Sequence, residues 1–125
     1  KPEVGLAPKA GTLARYRLQE WLAFINSEVH KGFGPLFRPT TPDAYKAIAR
    51  ENLVNRLGFV AAHLEQNPFL LGNQFSVADA YLFTVLNWGQ WTGIDVQQWP
   101  SLAAFQARVA ERPAVKEALA AEAAA

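Results

Sequence analysis

The chain has 125 residues, half of them hydrophobic and 18% charged, enough apolar material for a single core and too much for a disordered segment. Twelve basic residues against eleven acidic ones give a formal charge of +1, and the two signs are interspersed, so nucleic-acid binding has no electrostatic footprint. Without cysteine the chain has no disulfide, thiolate ligand or cysteine nucleophile, and without methionine it is expected to be processed, truncated or part of something longer.

Residues 1–12, punctuated by Pro2, Gly5, Pro8 and Gly11, read as a linker or a loop leading into the domain. From Leu13 a helical period takes over. Leu18, Leu22, Ile25 and Val29 form one apolar stripe, which Trp21 and Phe24 widen. Gly32, Gly34 and Pro35 are expected to break or bend this helix. Thr41-Pro42-Asp43 predicts a second start, with Thr41 as cap, Pro42 in the first helical position and an acid in the first turn. Its inward stripe is Ala49, Leu53, Leu57, Val60 and Leu64, and it should run to about Gln66. Residues 68–75 read as a loop with a turn at Gly72-Asn73.

Phe75-Ser76-Val77-Ala78-Asp79 predicts a capping box. The Ser76 hydroxyl accepts from the Asp79 N–H, the Asp79 carboxylate reaches back to the Ser76 N–H, and Phe75 staples against Ala80. The run Ala80–Leu86 is apolar nearly all round, so this helix is expected at the centre, ending after Trp91-Thr92-Gly93. That run is interrupted by Thr84 and too short to span a bilayer, and the N-terminus lacks a signal peptide's apolar region. No membrane association is expected, and the default compartment is the cytoplasm. Trp99-Pro100-Ser101 opens a fourth helix with Leu102, Phe105 and Val109 inward, and an Ala-rich fifth covers roughly 114–121. Nothing alternates with period two. The expected fold is all-α, a bundle of about five helices.

His30 and His63 lack a third ligand at metal-binding spacing, so no metal is expected, and His63 reads as a surface or half-buried histidine. Phosphate-cradle, serine-hydrolase and zincin motifs are absent. Ser27-Glu28-Val29-His30-Lys31-Gly32-Phe33 places a hydroxyl, a carboxylate, an imidazole and an ammonium within about a turn, beside Pro35-Leu36-Phe37. That mixture suits an anionic, peptide-like ligand with His30 as donor or base. The plainer reading is that His30 and Lys31 complement the C-terminal end of a helix dipole. Tyr81, Trp88 and Trp91 present the same choice, core stripe or apolar substrate wall, with Trp88 the expected exception to a core role.

Several segments in order resemble the all-helical C-terminal domain of a glutathione S-transferase, most of all the bacterial beta class. They are Arg15-Tyr16 with Glu20-Trp21-Leu22, Val29–Phe33 with Pro35-Leu36-Phe37, Phe75–Phe83, and Ala110-Glu111-Arg112-Pro113-Ala114-Val115. The resemblance covers nearly the whole chain and implies a single domain, 1–125. A thioredoxin-like domain of roughly 80 residues, an ordinary small-domain size, would precede Lys1. It implies a cytoplasmic detoxification enzyme in which glutathione, a co-substrate and not a covalently held cofactor, is joined to an electrophilic apolar acceptor. His30 would act beside the sulfur, and Ser27, Glu28, Val29, His30 and Lys31 would border glutathione. Phe33, Tyr81 and Trp88 would line the acceptor site, and Arg15 would take part in a homodimer interface. The segment alone would be inactive. Beta-class enzymes commonly carry an asparagine seven residues before that histidine; Ala23 stands there and removes the contact. The alternative is a non-catalytic helical interaction module, which has no need of His30-Lys31-Gly32-Phe33.

Overall fold

In the computed structural model, which describes residues 1–125, helix α1 (Leu13–Phe24) begins at an extended Thr12. The Thr12 hydroxyl accepts from the Arg15 N–H at 3.2 Å, satisfying one of the amides a helix start leaves free. Leu18, Ile25 and Val29 are buried as the period predicts. The expected break at Gly32, Gly34 and Pro35 does not occur. The helix instead widens earlier, into π-helical turns over Ile25–His30, and resumes as α2 (Lys31–Phe37) with Pro35 inside it. At the exit of the wide turns the Lys31 N–H donates to the Asn26 carbonyl, five residues back.

Packing explains the difference. Ile25, Val29 and Phe33 are four residues apart and have no exposed surface. In a regular α-helix each four-residue step drifts by about 40° around the axis. The wider turn offsets that drift and keeps all three on the core face. The glycines serve close approach: a Cβ on Gly32 would stand 3.2 Å from Leu53 Cδ1, so α2 lies tightly on the next helix.

That helix, α3 (Asp43–Leu64), starts one residue later than expected. Pro42 is the extended cap, Thr41 lies outside, and no side chain caps the start; the Tyr45 and Lys46 N–H groups donate to the Pro42 carbonyl, each at 2.9 Å. Its predicted stripe is buried throughout. The turn expected at Gly72-Asn73 closes earlier, where Phe69 and Gly72 exchange N–H···O bonds of 2.9 and 3.0 Å. Burial of Leu70, 2% exposed at the tip, draws the turn inward, and Gly72 supplies the left-handed φ of 100°.

Helix α4 (Val77–Leu86) is the centre of the molecule, packed on α1, the π-helical turns and α6 (Pro100–Ala110). Its capping box forms. Asp79 Oδ2 accepts from the Ser76 N–H at 2.8 Å and from the Ser76 hydroxyl at 3.1 Å, and Oδ1 accepts from the Leu70 N–H at 2.8 Å. The carboxylate therefore anchors both the helix start and the preceding turn. Phe75, expected to staple against Ala80, packs edge-on to Phe69 at 5.7 Å and under the Arg112 guanidinium at 3.8 Å.

After α4 a short α5 (Gly89–Thr92) ends on Gly93 at φ 72°, where Arg50 of α3 donates to the Thr92 carbonyl at 2.9 Å. Leu102, Phe105 and Val109 of α6 point inward as expected, and α7 (Pro113–Ala123) closes the chain without burying a residue. The five predicted helical stretches are all present; the first is divided by the π-helical turns and the third at residues 87–88. No strand forms, only an isolated bridge between Phe69 and Gly72, and no helix is long and apolar enough to cross a membrane.

Candidate functional site

The π-helical turns and α4 face each other and bring His30, Tyr81 and Trp88 to one place. His30 leaves the wide turns on the α4 side, its Nδ1 2.5 Å from the Tyr81 hydroxyl. Its ring stands edge-on to Tyr81 at 5.7 Å and to Trp88 at 4.8 Å. Tyr81 and Trp88, seven residues apart, share a face of the helical stretch, as spacing requires. Trp88 is in turn edge-on to Phe33 at 5.8 Å and to Phe37 at 5.7 Å. The Tyr81 hydroxyl also lies 3.5 Å from Asn26 Oδ1.

The wall differs from the expected one in a single ring. Phe33 has no exposed surface and stands behind Trp88, whereas Phe37, one turn further on, is 46% exposed. His30 is exposed, and Tyr81 and Trp88 are half-buried. Trp91 lies on α5 with 66% of its surface exposed.

Among Ser27–Lys31 the side chains divide. The Ser27 hydroxyl donates to the Ala23 carbonyl at 2.9 Å, Glu28 pairs with Arg56 of α3 at 2.7 Å, and Val29 is buried in the core. Lys31 has no carboxylate within 4.0 Å and lines a cavity of about 400 Å³ with His30, Arg38 and Tyr45. The dipole reading of His30 and Lys31 falls with the continuity of the helix, which has no C-terminus at Lys31 to complement.

The other predicted residues lie elsewhere. Ser76 and Asp79 are internal, 1% and 0% exposed, and burial pushes the Asp79 carboxyl above its ordinary value despite the lowering effect of the bonds from Leu70 and Ser76. Arg15 donates to the Pro8 carbonyl at 2.9 Å and ties the leading loop to α1. His63 is half-buried, its Nε2 2.9 Å from the Leu70 carbonyl, a satisfied structural histidine.

Chemically, the face offers an imidazole against an aromatic wall, an ammonium in the cavity that the imidazole also lines, and no cysteine. It is suited to stabilising an anion and holding an apolar group next to it. Sequence reasoning missed Asn26, Arg38 and Tyr45, and gave Phe37 no place on the wall. Phe37 carried a signal, its four-residue spacing from Phe33 on one helix face. Arg38 and Tyr45 had none, because they meet only where α2 packs on α3.

Known proteins are similar to this chain in sequence and fold over nearly its whole length. The family described as glutathione S-transferase, C-terminal domain, matches residues 24–113. Glutathione S-transferase GstA of Escherichia coli O157:H7 is 43% identical over 121 residues, which are 97% of this chain and 60% of that protein. A sphingomonad glutathione S-transferase solved in complex with glutathione is 47% identical, with a TM-score of 0.94 over 99% of this chain and 62% of that one. A beta-class enzyme from Sphingomonas chungbukensis is 46% identical, with a TM-score of 0.92 over 98% of this chain and 61% of that one. The chain thus spans about three-fifths of the length of these relatives.

Proposed function

The chain belongs to the glutathione S-transferase C-terminal domain family, with a bacterial beta-class enzyme among its relatives, and we propose that it serves a transferase joining glutathione to an electrophilic, apolar acceptor. The observation that carries this reading is the meeting of His30 with the wall of Tyr81, Trp88 and Phe37, with Lys31 beside His30 in the adjoining cavity. In the reaction the glutathione thiolate attacks the acceptor carbon; a C–S bond forms and the leaving group departs with its electron pair. His30 and Lys31 stabilise the sulfur's negative charge from this side, which favours the thiolate. Ser27 and Glu28 border glutathione with partly engaged side chains, Val29, expected beside them, supports them from the core because it has no exposed surface, and Phe33 backs the acceptor wall.

A thioredoxin-like domain ahead of Lys1 supplies most of the glutathione site. Arg15 and α1 contribute to an isologous homodimer contact. The setting is detoxification in the cytoplasm. A docking module has no use for an exposed imidazole held against an aromatic wall.

The test is conjugation of glutathione to a generic electrophile by the full-length protein and by the 125-residue chain alone. The full-length protein is expected to turn over and to bind glutathione saturably, and the isolated chain to do neither. His30→Ala is expected to lower kcat about ten- to hundredfold, the worth of one hydrogen bond to a charged group. Failure of the full-length protein to conjugate or to bind glutathione overturns the reading.

A further inference from the structure

We propose that Tyr81 is a positioning residue: its hydroxyl donates to His30 Nδ1, holds the neutral imidazole as the Nε2–H tautomer, and so makes His30 a donor to the glutathione sulfur and not the base that takes its proton. The proposal rests on the transferase reading only for what His30 faces; the tautomer follows from this chain alone.

A phenol has one proton and here two acceptors in reach, Nδ1 at 2.5 Å and Asn26 Oδ1 at 3.5 Å. Hydrogen bonds from O–H groups cluster below about 3.0 Å, so the short contact takes the proton. The opposite assignment has Nδ1–H donating to the phenol oxygen and leaves the phenol proton to solvent or to Asn26 across the long contact. A neutral imidazole has one donor and one acceptor nitrogen, so an accepting Nδ1 leaves the proton on Nε2. Nε2 makes no hydrogen bond within the chain. The flanking edge of Trp88 at 4.8 Å limits rotation of the ring.

An Nε2–H group pointing from this wall meets a sulfur as a donor. It stabilises the thiolate without accepting a proton, and the thiol proton leaves to water. The wall itself needs only the Tyr81 ring. The hydroxyl is the part that the wall role leaves unexplained.

The experiment is long-range proton–nitrogen correlation of the neutral histidine rings in full-length protein labelled with nitrogen-15 histidine. His63 serves as internal reference, because its Nε2 lies 2.9 Å from the Leu70 carbonyl and is fixed as Nε2–H by a different partner. His30 is expected as Nε2–H in the unaltered protein and in Asn26→Ala. Tyr81→Phe is expected to give an exchanging mixture at His30 while His63 stays unchanged. An Nδ1–H form at His30 in the unaltered protein, a shift in Asn26→Ala, or an unaltered tautomer in Tyr81→Phe overturns the assignment. In turnover, Tyr81→Phe keeps the wall and loses the hydroxyl, so kcat should fall about three- to tenfold with the acceptor KM unchanged. An unchanged kcat overturns the positioning role. If His30→Ala leaves turnover intact, the transferase role of His30 fails, and the tautomer result in Tyr81→Phe still stands or falls by itself.

Discussion

Asp79 has no exposed surface and accepts from three donors, two of them backbone amides in different segments. Asp79→Ala orphans the Leu70 and Ser76 N–H groups and should cost about 3 kcal/mol or more, since each buried unsatisfied group costs roughly 1–3 kcal/mol. Ser76→Ala removes only a hydroxyl from the same oxygen and should cost about 1 kcal/mol, measured as the shift in urea midpoint. A smaller loss in Asp79→Ala than in Ser76→Ala would contradict this order. The carboxyl also predicts a pH dependence. Burial raises its folded-state pKa above the ordinary 3.8, so the folded chain holds this proton more tightly than the unfolded one. As pH rises from 3.8 through the raised value, the unfolded chain ionises first and stability falls; beyond that window the effect is level. Asp79→Asn should lack this slope when its pH–stability curve is subtracted from that of the unaltered protein.

Two glycines on helices test how tightly the elements fit. A Cβ on Gly89 would fall against the Ile94 carbonyl oxygen, with Val96 Cγ2 at 3.3 Å, so α5 is pinned to the segment that follows it. Gly89→Ala should cost about 1–3 kcal/mol and shift the emission of the adjacent Trp88. A Cβ on Gly34 meets nothing within 4 Å beyond its chain neighbours, but Pro35 follows and disfavours a Cβ on a helical residue before it, which offsets the entropic gain, so Gly34→Ala inside α2 should change stability by less than about 1 kcal/mol. Thermal melts of both variants check the pair, and a gain for Gly89→Ala would contradict it. Helices such as α3 and α6 were readable because their stripes repeat with helical period and become buried. The π-helical turns were not, because a four-residue spacing from Ile25 to Phe33 fits either helix type and Gly-Pro chemistry favours a break. Burial of three side chains decided against the local signal. The turn at Phe69–Gly72 was misplaced for a related reason: its position is set by Asp79, nine residues beyond Leu70. At the site, residue type singled out His30 and left Tyr81 and Trp88 between core stripe and wall; the resemblance is what assigned all three. Asn26 was missed, since its contact with Tyr81 spans 55 residues.

A protein of 13.8 kDa folded as a compact monomer exposes about 6,600 Å². This chain exposes 7790 Å², an excess of about 1,200 Å². Part of it is apolar: Leu13 and Tyr16 on α1 and Phe59 on α3 are 71%, 62% and 59% exposed. Under the proposed reading, a preceding domain and a second subunit would cover part of this surface. The full-length protein is expected to sediment as a dimer. Arg15→Glu, which also releases the Pro8 carbonyl, should weaken dimerisation about tenfold, or about 1.4 kcal/mol, in sedimentation equilibrium. A monomer at all concentrations would contradict the dimer.

The wide turns at Ile25–His30 have a consequence for how such a site is gained or lost. Six residues at the wide pitch turn the chain through nearly the same angle as five in a regular α-helix, so losing one residue within them leaves the flanking helices facing as before. Leu18 before the turns and Phe33 after them then keep their core faces, and the change is confined to the side chains that the wide turns carry. A single-residue deletion in this stretch therefore alters the polar groups at this wall while leaving every helix able to form.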